Sequence, residues 1–316
     1  MAKHILQDYI DLDVAYLLGL IVSRGTFREH GDERTLLLEF PYGSMTVDGI
    51  ETQYDQQIHL RLAIGEIKNR LYELLFTDIQ DTYSASSVQL AVRFTRNTMA
   101  WRNLRLITQG KSNYWEFEVP SQVEQASADI QKEFLRGIAD ACGHIRQSNN
   151  YMGARRRVYL EIHNRNWHLP VQICRLLQCQ LGVAAQLIQW GHPNTREPNN
   201  PNCGNAWARE HQVKIFSDAF EPVDFHVEYK RRVLAEFIAD DRERFNVVSL
   251  PCNPKMKRIR SRKPAHPEEN SPLLPEYLRG QHFDAYWQIC RKLGCRQGQK
   301  IGRQIAFFEE EVEDVS

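Results

Sequence analysis

Leu135-Arg136-Gly137-Ile138-Ala139-Asp140-Ala141-Cys142-Gly143 has an earlier counterpart in Leu17-Leu18-Gly19-Leu20-Ile21-Val22-Ser23-Arg24-Gly25. Each stretch reads as a mostly apolar helix with small residues four apart: Gly19 and Ser23 in one, Gly137 and Ala141 in the other. Small residues at that spacing share a helix face and allow a second helix to approach closely. Each stretch stops at a glycine, Gly25 or Gly143, and the expected reason is the left-handed cap that glycine tolerates. Each then runs into a strand-like segment, Thr26-Phe27-Arg28 or His144-Ile145-Arg146. The two glycines at the helix centres lie 118 residues apart, so the chain reads as two copies of one unit.

Composition sets the outer bounds. With 316 residues, 42% hydrophobic and 25% charged, the chain can bury a real core. It holds no run of eighteen apolar residues and no apolar leader after Met1, so a membrane span or secretory signal is not expected. Seven cysteines without framework spacing fit a reducing cytoplasm, with nucleoid association if the chain binds DNA. Forty basic and forty acidic residues cancel, which counts mildly against a nucleic-acid partner. Charge is unevenly placed, however, with Arg155-Arg156-Arg157 as one cluster and Lys255 to Lys263 as another, and a neutral total can hide a basic face.

Working outward, Asp11 or Asp13 is placed to cap the first helix. A hairpin follows, with strands at 26–29 and 34–41; in the second, Leu36, Leu38 and Phe40 face one way and Thr35, Leu37 and Glu39 the other. A strand is expected at 59–63, a helix at 66–75, a clear half-buried strand at 88–94 and a helix at 97–107. The second half repeats the order. It has a helix at 128–142, a strand at 157–163 and a helix at 169–181. Strands at 183–190 and 211–216, across a Pro- and Asn-rich loop, and a helix at 227–240 follow. The fold class is therefore α+β, in two αββαββα repeats spanning 1–119 and 120–248, with a basic linker and helical extension at 249–316.

The two motifs and this order resemble the LAGLIDADG homing endonuclease family in its single-chain, two-repeat form, over residues 1 to about 246. The second motif, which keeps Asp140, resembles the family's more closely than the first. The resemblance implies a central helix pair meeting at Gly19, Ser23, Gly137 and Ala141. It also implies two four-stranded antiparallel sheets forming a pseudo-symmetric saddle on double-stranded DNA, in a monomer. A two-stranded ribbon fits the major groove; arginine pairs bidentately with guanine and glutamine with adenine. The residues expected to contact DNA are Arg24, Arg28, Gln89, Arg93, Arg146, Arg155, Arg156, Arg157, Tyr159, Gln212, Lys214 and Lys230. Solvated faces of ordinary antiparallel strands alternate in the same way.

In the family, the residue before each closing glycine is an acid that holds a divalent metal and so activates water. Here those positions carry Arg24 and Cys142. An arginine is a fixed cation and a thiol a poor magnesium ligand, so no catalytic residue, metal or cofactor is expected. Arg24 suits a phosphate contact that replaces the metal's charge. One alternative is an active endonuclease using Mg2+ with relocated acids, Asp140 first and then Glu29 or Asp32. Another is a splicing factor that binds structured RNA. A duplicated α+β protein with an accidental motif match is the third. Cys174 and Cys179 read as helix-core cysteines, and a zinc site from Cys252, His282, Cys290 and Cys295 is a weak candidate.

Overall fold

A computed structural model of the chain describes residues 10–45, 53–94, 99–147, 156–163, 165–166, 168–183, 185–189 and 210–245. Arg155, the loop at 192–205, the zinc candidates and everything expected at 249–316 lie outside them. The chain forms two compact units, residues 1–145 with 222–235, and residues 146–221 with 236–316.

The first unit begins with helix α1 (Leu12–Arg24). Asp11 caps it, its carboxylate accepting the Val14 N–H at 2.8 Å. Every residue from Ala15 to Arg24 is buried, as a helix apolar on all sides requires. Strands β1 (Gly25–His30) and β2 (Glu33–Pro41) form the expected hairpin around Gly31, whose φ of +57° suits glycine. Helix α2 runs from Gln53 to Leu75 without a break, so the strand expected at 59–63 does not exist. The apolar alternation there is local; Ala63, Ile64, Ile67 and Leu71 are buried at helical spacing, while Ile58 and Leu62 stay exposed. The missing strand is β3 (Ile79–Tyr83), too polar to stand out, with only Ile79 buried. It is an edge strand, tied to α2 by Lys68–Asp81 at 2.6 Å. Strand β4 (Ser87–Phe94) and helix α3 (Met99–Ile107) follow as expected.

The first sheet has order β1-β2-β4-β3, antiparallel throughout. Its inner face is Phe27, Leu36, Leu38, Phe40, Val88, Leu90 and Val92, all buried. A fully buried Leu or Phe of this kind stabilises by about 1.5–3 kcal/mol. Helix α4 (Ala128–Cys142) packs along α1. A methyl group on Gly19 would sit 2.0 Å from the Phe134 carbonyl oxygen, and one on Gly137 would sit 2.1 Å from that of Tyr16. Ala141 is fully buried, whereas Ser23 turns its hydroxyl back onto its own helix, donating to the Gly19 carbonyl at 2.8 Å.

The closing glycines are not left-handed. Gly25 (φ −90°, ψ 146°) and Gly143 (φ −97°, ψ 137°) are extended. Any residue reaches such angles; the constraint is room, since a Cβ would lie 2.6 Å from the Ile21 carbonyl oxygen or 2.4 Å from that of Ala139.

The second sheet has order β5-β6-β8-β7, from β5 (Gly143–Gln147), β6 (Arg156–Ile162), β7 (Ala185–Gln189) and β8 (His211–Phe216). In the second unit Val158, Leu160, Ile162, Ile188, Val213 and Ile215 share one buried face. Helix α5 (His168–Arg175), extended by a π-helical turn over Leu176–Gln180, buries Cys174. The last described helix, α6 (Glu228–Phe245), runs from the first unit into the second. Both sheets thus place their strands in the same order, first, second, fourth, third. No described helix is long and apolar enough to cross a membrane.

Candidate nucleic-acid interface

Strand register places the outward face of the first sheet in three rows. Arg28, Thr35 and Arg93 form one; Thr26, Leu37, Ala91 and Gln80 the next; Glu39, Gln89 and Thr82 the third. Arg28 and Arg93 are exposed and Gln89 half-buried. Two long cations in one row thus share a face with an amide two rows away that can both donate and accept, on antiparallel strands of a kind that fits the major groove.

At the edge of this face lies a cavity of about 400 Å³ that brings together Arg24, Arg28 and Gln89. Arg24 ends α1 and is only 3% exposed, its guanidinium 5.9 Å from the centre of the Tyr114 ring. The far wall is Tyr114 and Trp115, which are not among the residues expected from sequence to contact DNA. Backbone pairing holds them there. Phe27 N–H donates to the Ser112 carbonyl at 2.8 Å, and Thr26 bridges Asn113. Two adjacent aromatics in a short irregular segment were the available signal. Leu37 faces outward yet is 7% exposed, the cavity's apolar floor.

In the second unit the polar positions are buried rather than displayed. Arg157, Tyr159, Gln212 and Lys214 are each no more than 9% exposed. Arg146 lies 4.4 Å and Lys214 5.2 Å from the Tyr159 ring centre, and Arg157 5.2 Å from that of Phe216. These are cation–π contacts. Burial lowers the Lys214 pKa to about 7, with the like charges of Arg157 and Arg146 adding to it. Gln212 donates to Glu161 at 2.8 Å.

Two expected contacts are occupied by the fold itself. Lys230 is fully buried, its ammonium donating to the carbonyls of Gly143 at 2.9 Å and Asp140 at 3.0 Å. It closes the C-terminal end of α4, where unsatisfied carbonyls and the helix dipole favour a cation. Burial brings its pKa down to about 8, against the pull of Asp140. Arg156 pairs with Asp240 and, at 3.0 Å, with the fully buried Asp241.

The positions before the closing glycines do not fit a magnesium ion. Arg24 is cationic, and Cys142 is a fully buried thiol. Asp140 is also fully buried and already engaged. Its carboxylate accepts the Tyr16 hydroxyl at 2.9 Å and the backbone N–H groups of His226 at 3.0 Å and Val227 at 3.4 Å. It thereby caps the start of α6. Burial raises its pKa to about 6, opposed by Lys230 and by those hydrogen bonds. Glu29 faces Arg105 at 3.7 Å. Among the described residues, no three His, Cys, Asp or Glu side chains gather as a cation cage.

No protein-family model and no curated protein matches the chain. Solved structures to which it is similar include homing endonucleases. A variant of I-DmoI in complex with its target DNA in the presence of Mg is 15% identical, over 68% of this chain and 97% of that one, with a TM-score of 0.37. I-DmoI in complex with DNA and Mn is 16% identical, over 67% and 93%, with a TM-score of 0.37. The chain is similar, too, to the homing endonuclease I-WcaI bound to its DNA recognition sequence, at 10% identity over 69% and 85%, with a TM-score of 0.35.

Proposed function

We propose that the chain is a sequence-specific double-stranded DNA-binding protein that lacks metal-dependent cleavage. The observation that carries this reading is the outward face of the first sheet, where Arg28 and Arg93 stand in one row on either side of Thr35 and Gln89 stands on the same face two rows further along. Arginine and glutamine at such spacing match guanine and adenine edges in the major groove. Arg24 and the rim cations neutralise phosphates and make affinity salt-dependent. Arg146 against Tyr159 and Arg157 against Phe216 supply positive charge in the second unit, beside Lys214, and Arg155 belongs to the same basic run as Arg156 and Arg157. The two repeats, 1–119 and 120–248, act as one monomeric binder.

The absence of cleavage follows from chemistry at the helix ends. Neither Arg24 nor Cys142 can hold a hard cation over a phosphate, and Asp140 serves as a helix cap. Selection from a random duplex library, followed by binding at several salt concentrations, tests the reading. An enriched duplex bound with a steep salt slope is expected, and supercoiled and linear DNA stays intact with Mg2+ or Mn2+. Reproducible site-specific cutting overturns the non-cleaving assignment. Binding to structured RNA with none to any duplex overturns the DNA assignment.

A further inference from the structure

The cavity beside Arg24 has a composition that groove binding alone does not call for. Its volume of about 400 Å³ lies within the range of small-ligand pockets. Its floor is apolar Leu37, and its wall is Tyr114 and Trp115, whose rings meet edge to face at 5.3 Å. Glu39 and Gln89 are direct cross-strand partners, so their side chains rise together from the sheet on the cavity side. Arg24 and Arg28 give the pocket two cations against the single Glu39 carboxylate.

Each of these features selects against a class of ligand. Two cations against one acid favour an anion. An apolar floor with an aromatic wall favours a flat ring, since base–aromatic stacking works with any base. An amide beside a carboxylate can meet a ring edge that presents both donors and acceptors. A carboxylic acid or inorganic phosphate would leave the aromatic wall idle, and a lipid tail would leave Glu39 and Gln89 unused.

We propose that this pocket receives a single unstacked nucleotide, its base against Tyr114 and Trp115 and its phosphate on Arg24 and Arg28. The nucleotide comes either from the bound duplex, in which case the proposal rests on the DNA-binding reading, or from the free pool. An extruded base loses its stacking neighbours and gains the aromatic wall in exchange. The pairing of Phe27 with Ser112 and of Thr26 with Asn113 fixes that wall before any ligand arrives.

The test uses the full chain in two arms. In the first, the four nucleoside 5′-monophosphates are titrated calorimetrically, with inorganic phosphate and free nucleosides as controls. Nucleotides bind more tightly than either control, and Trp115→Leu weakens them about tenfold. Gln89→Leu, at a half-buried strand position, reduces the discrimination among bases. In the second arm, 2-aminopurine is placed at each position of the library-selected duplex, and fluorescence is read at saturating protein. A rise at one position, lost in Trp115→Leu and Gln89→Leu, supports a flipped nucleotide. Duplex binding without a rise, together with mononucleotide binding, supports the pocket with the free pool as its source. Mononucleotide binding without duplex binding supports the pocket and overturns the DNA reading. Duplex binding with neither a rise nor mononucleotide binding overturns the pocket and leaves the DNA reading standing. A rise that survives both substitutions also overturns it.

Discussion

Replacing Gly19 with alanine tests the helix pair at its closest point. The added Cβ would lie 2.0 Å from the Phe134 carbonyl oxygen and 2.9 Å from the Ile138 nitrogen. Ordinary contact begins near 3.4 Å, so α1 and α4 must part by about 1.4 Å along that line. The obstacles are backbone atoms of a buried helix, so no side-chain rotation relieves them. Overpacking typically costs 1–3 kcal/mol, and a clash that only backbone movement relieves belongs at the upper end, about 3 kcal/mol. For a domain of this size that is a fall in Tm of about 6–12 °C. Gly65→Ala is the matched control. Gly65 lies within α2 with nothing within 4 Å of an added Cβ, so alanine there stabilises by about 0.5–1 kcal/mol through helix propensity. Thermal and urea unfolding of both variants give the comparison. Gly19→Ala matching wild type, or moving in the same direction as Gly65→Ala, would refute the close-approach argument. Gly19→Ala with Gly137→Ala should cost less than the sum of the two, because the first methyl already parts the helices.

Other outcomes follow from the same contacts. Lys230→Met strands the carbonyls at the end of α4 and removes the cation that opposes the burial of the Asp140 carboxylate, a loss of about 3–5 kcal/mol in denaturant titration. Lys214 has a folded-state pKa of about 7 against an ordinary 10.5, so between those values the unfolded chain binds more protons. Its contribution to stability therefore rises with pH across that window, and Lys214→Met should flatten the rise in pH-dependent unfolding. Arg28→Ala and Arg93→Ala each remove one exposed cation from the first sheet's outward face. For a phosphate contact, the slope of log affinity against log salt shrinks by about one; for a base contact, preference at a single base relaxes instead.

Elements whose pattern expressed their burial were legible from sequence. Val88 to Phe94 alternates because one face meets the core, and Ala128 to Cys142 came out at its observed bounds. The third strand was not legible, because Ile79–Tyr83 buries a single apolar residue and draws its stability from ladder bonds to β4 and the Lys68–Asp81 pair. The apolar alternation around His59 pointed to a strand, but helical burial of Ala63, Ile64, Ile67 and Leu71 decides that segment. At the candidate site, Arg24, Arg28 and Gln89 were singled out and share one cavity. Lys230 was misjudged because its charge suggests solvent, whereas its ammonium meets helix-end carbonyls at 87 and 90 residues' separation. No local pattern announces such a partner.

That long-range closure orders events on the ribosome. Gly143 is made 87 residues before the lysine that satisfies its carbonyl. At 5–20 residues per second, the interval is roughly 4–17 s. Through it, α4 can already lie on α1, but its end is open and Asp140 lacks the His226 and Val227 amides. The first unit therefore cannot finish folding from the N-terminus outward; it waits for residues 222–235 to return from beyond the second sheet. A nascent chain stalled before Pro222 should be readily cut by protease near Gly143, and release of the completed segment should protect it.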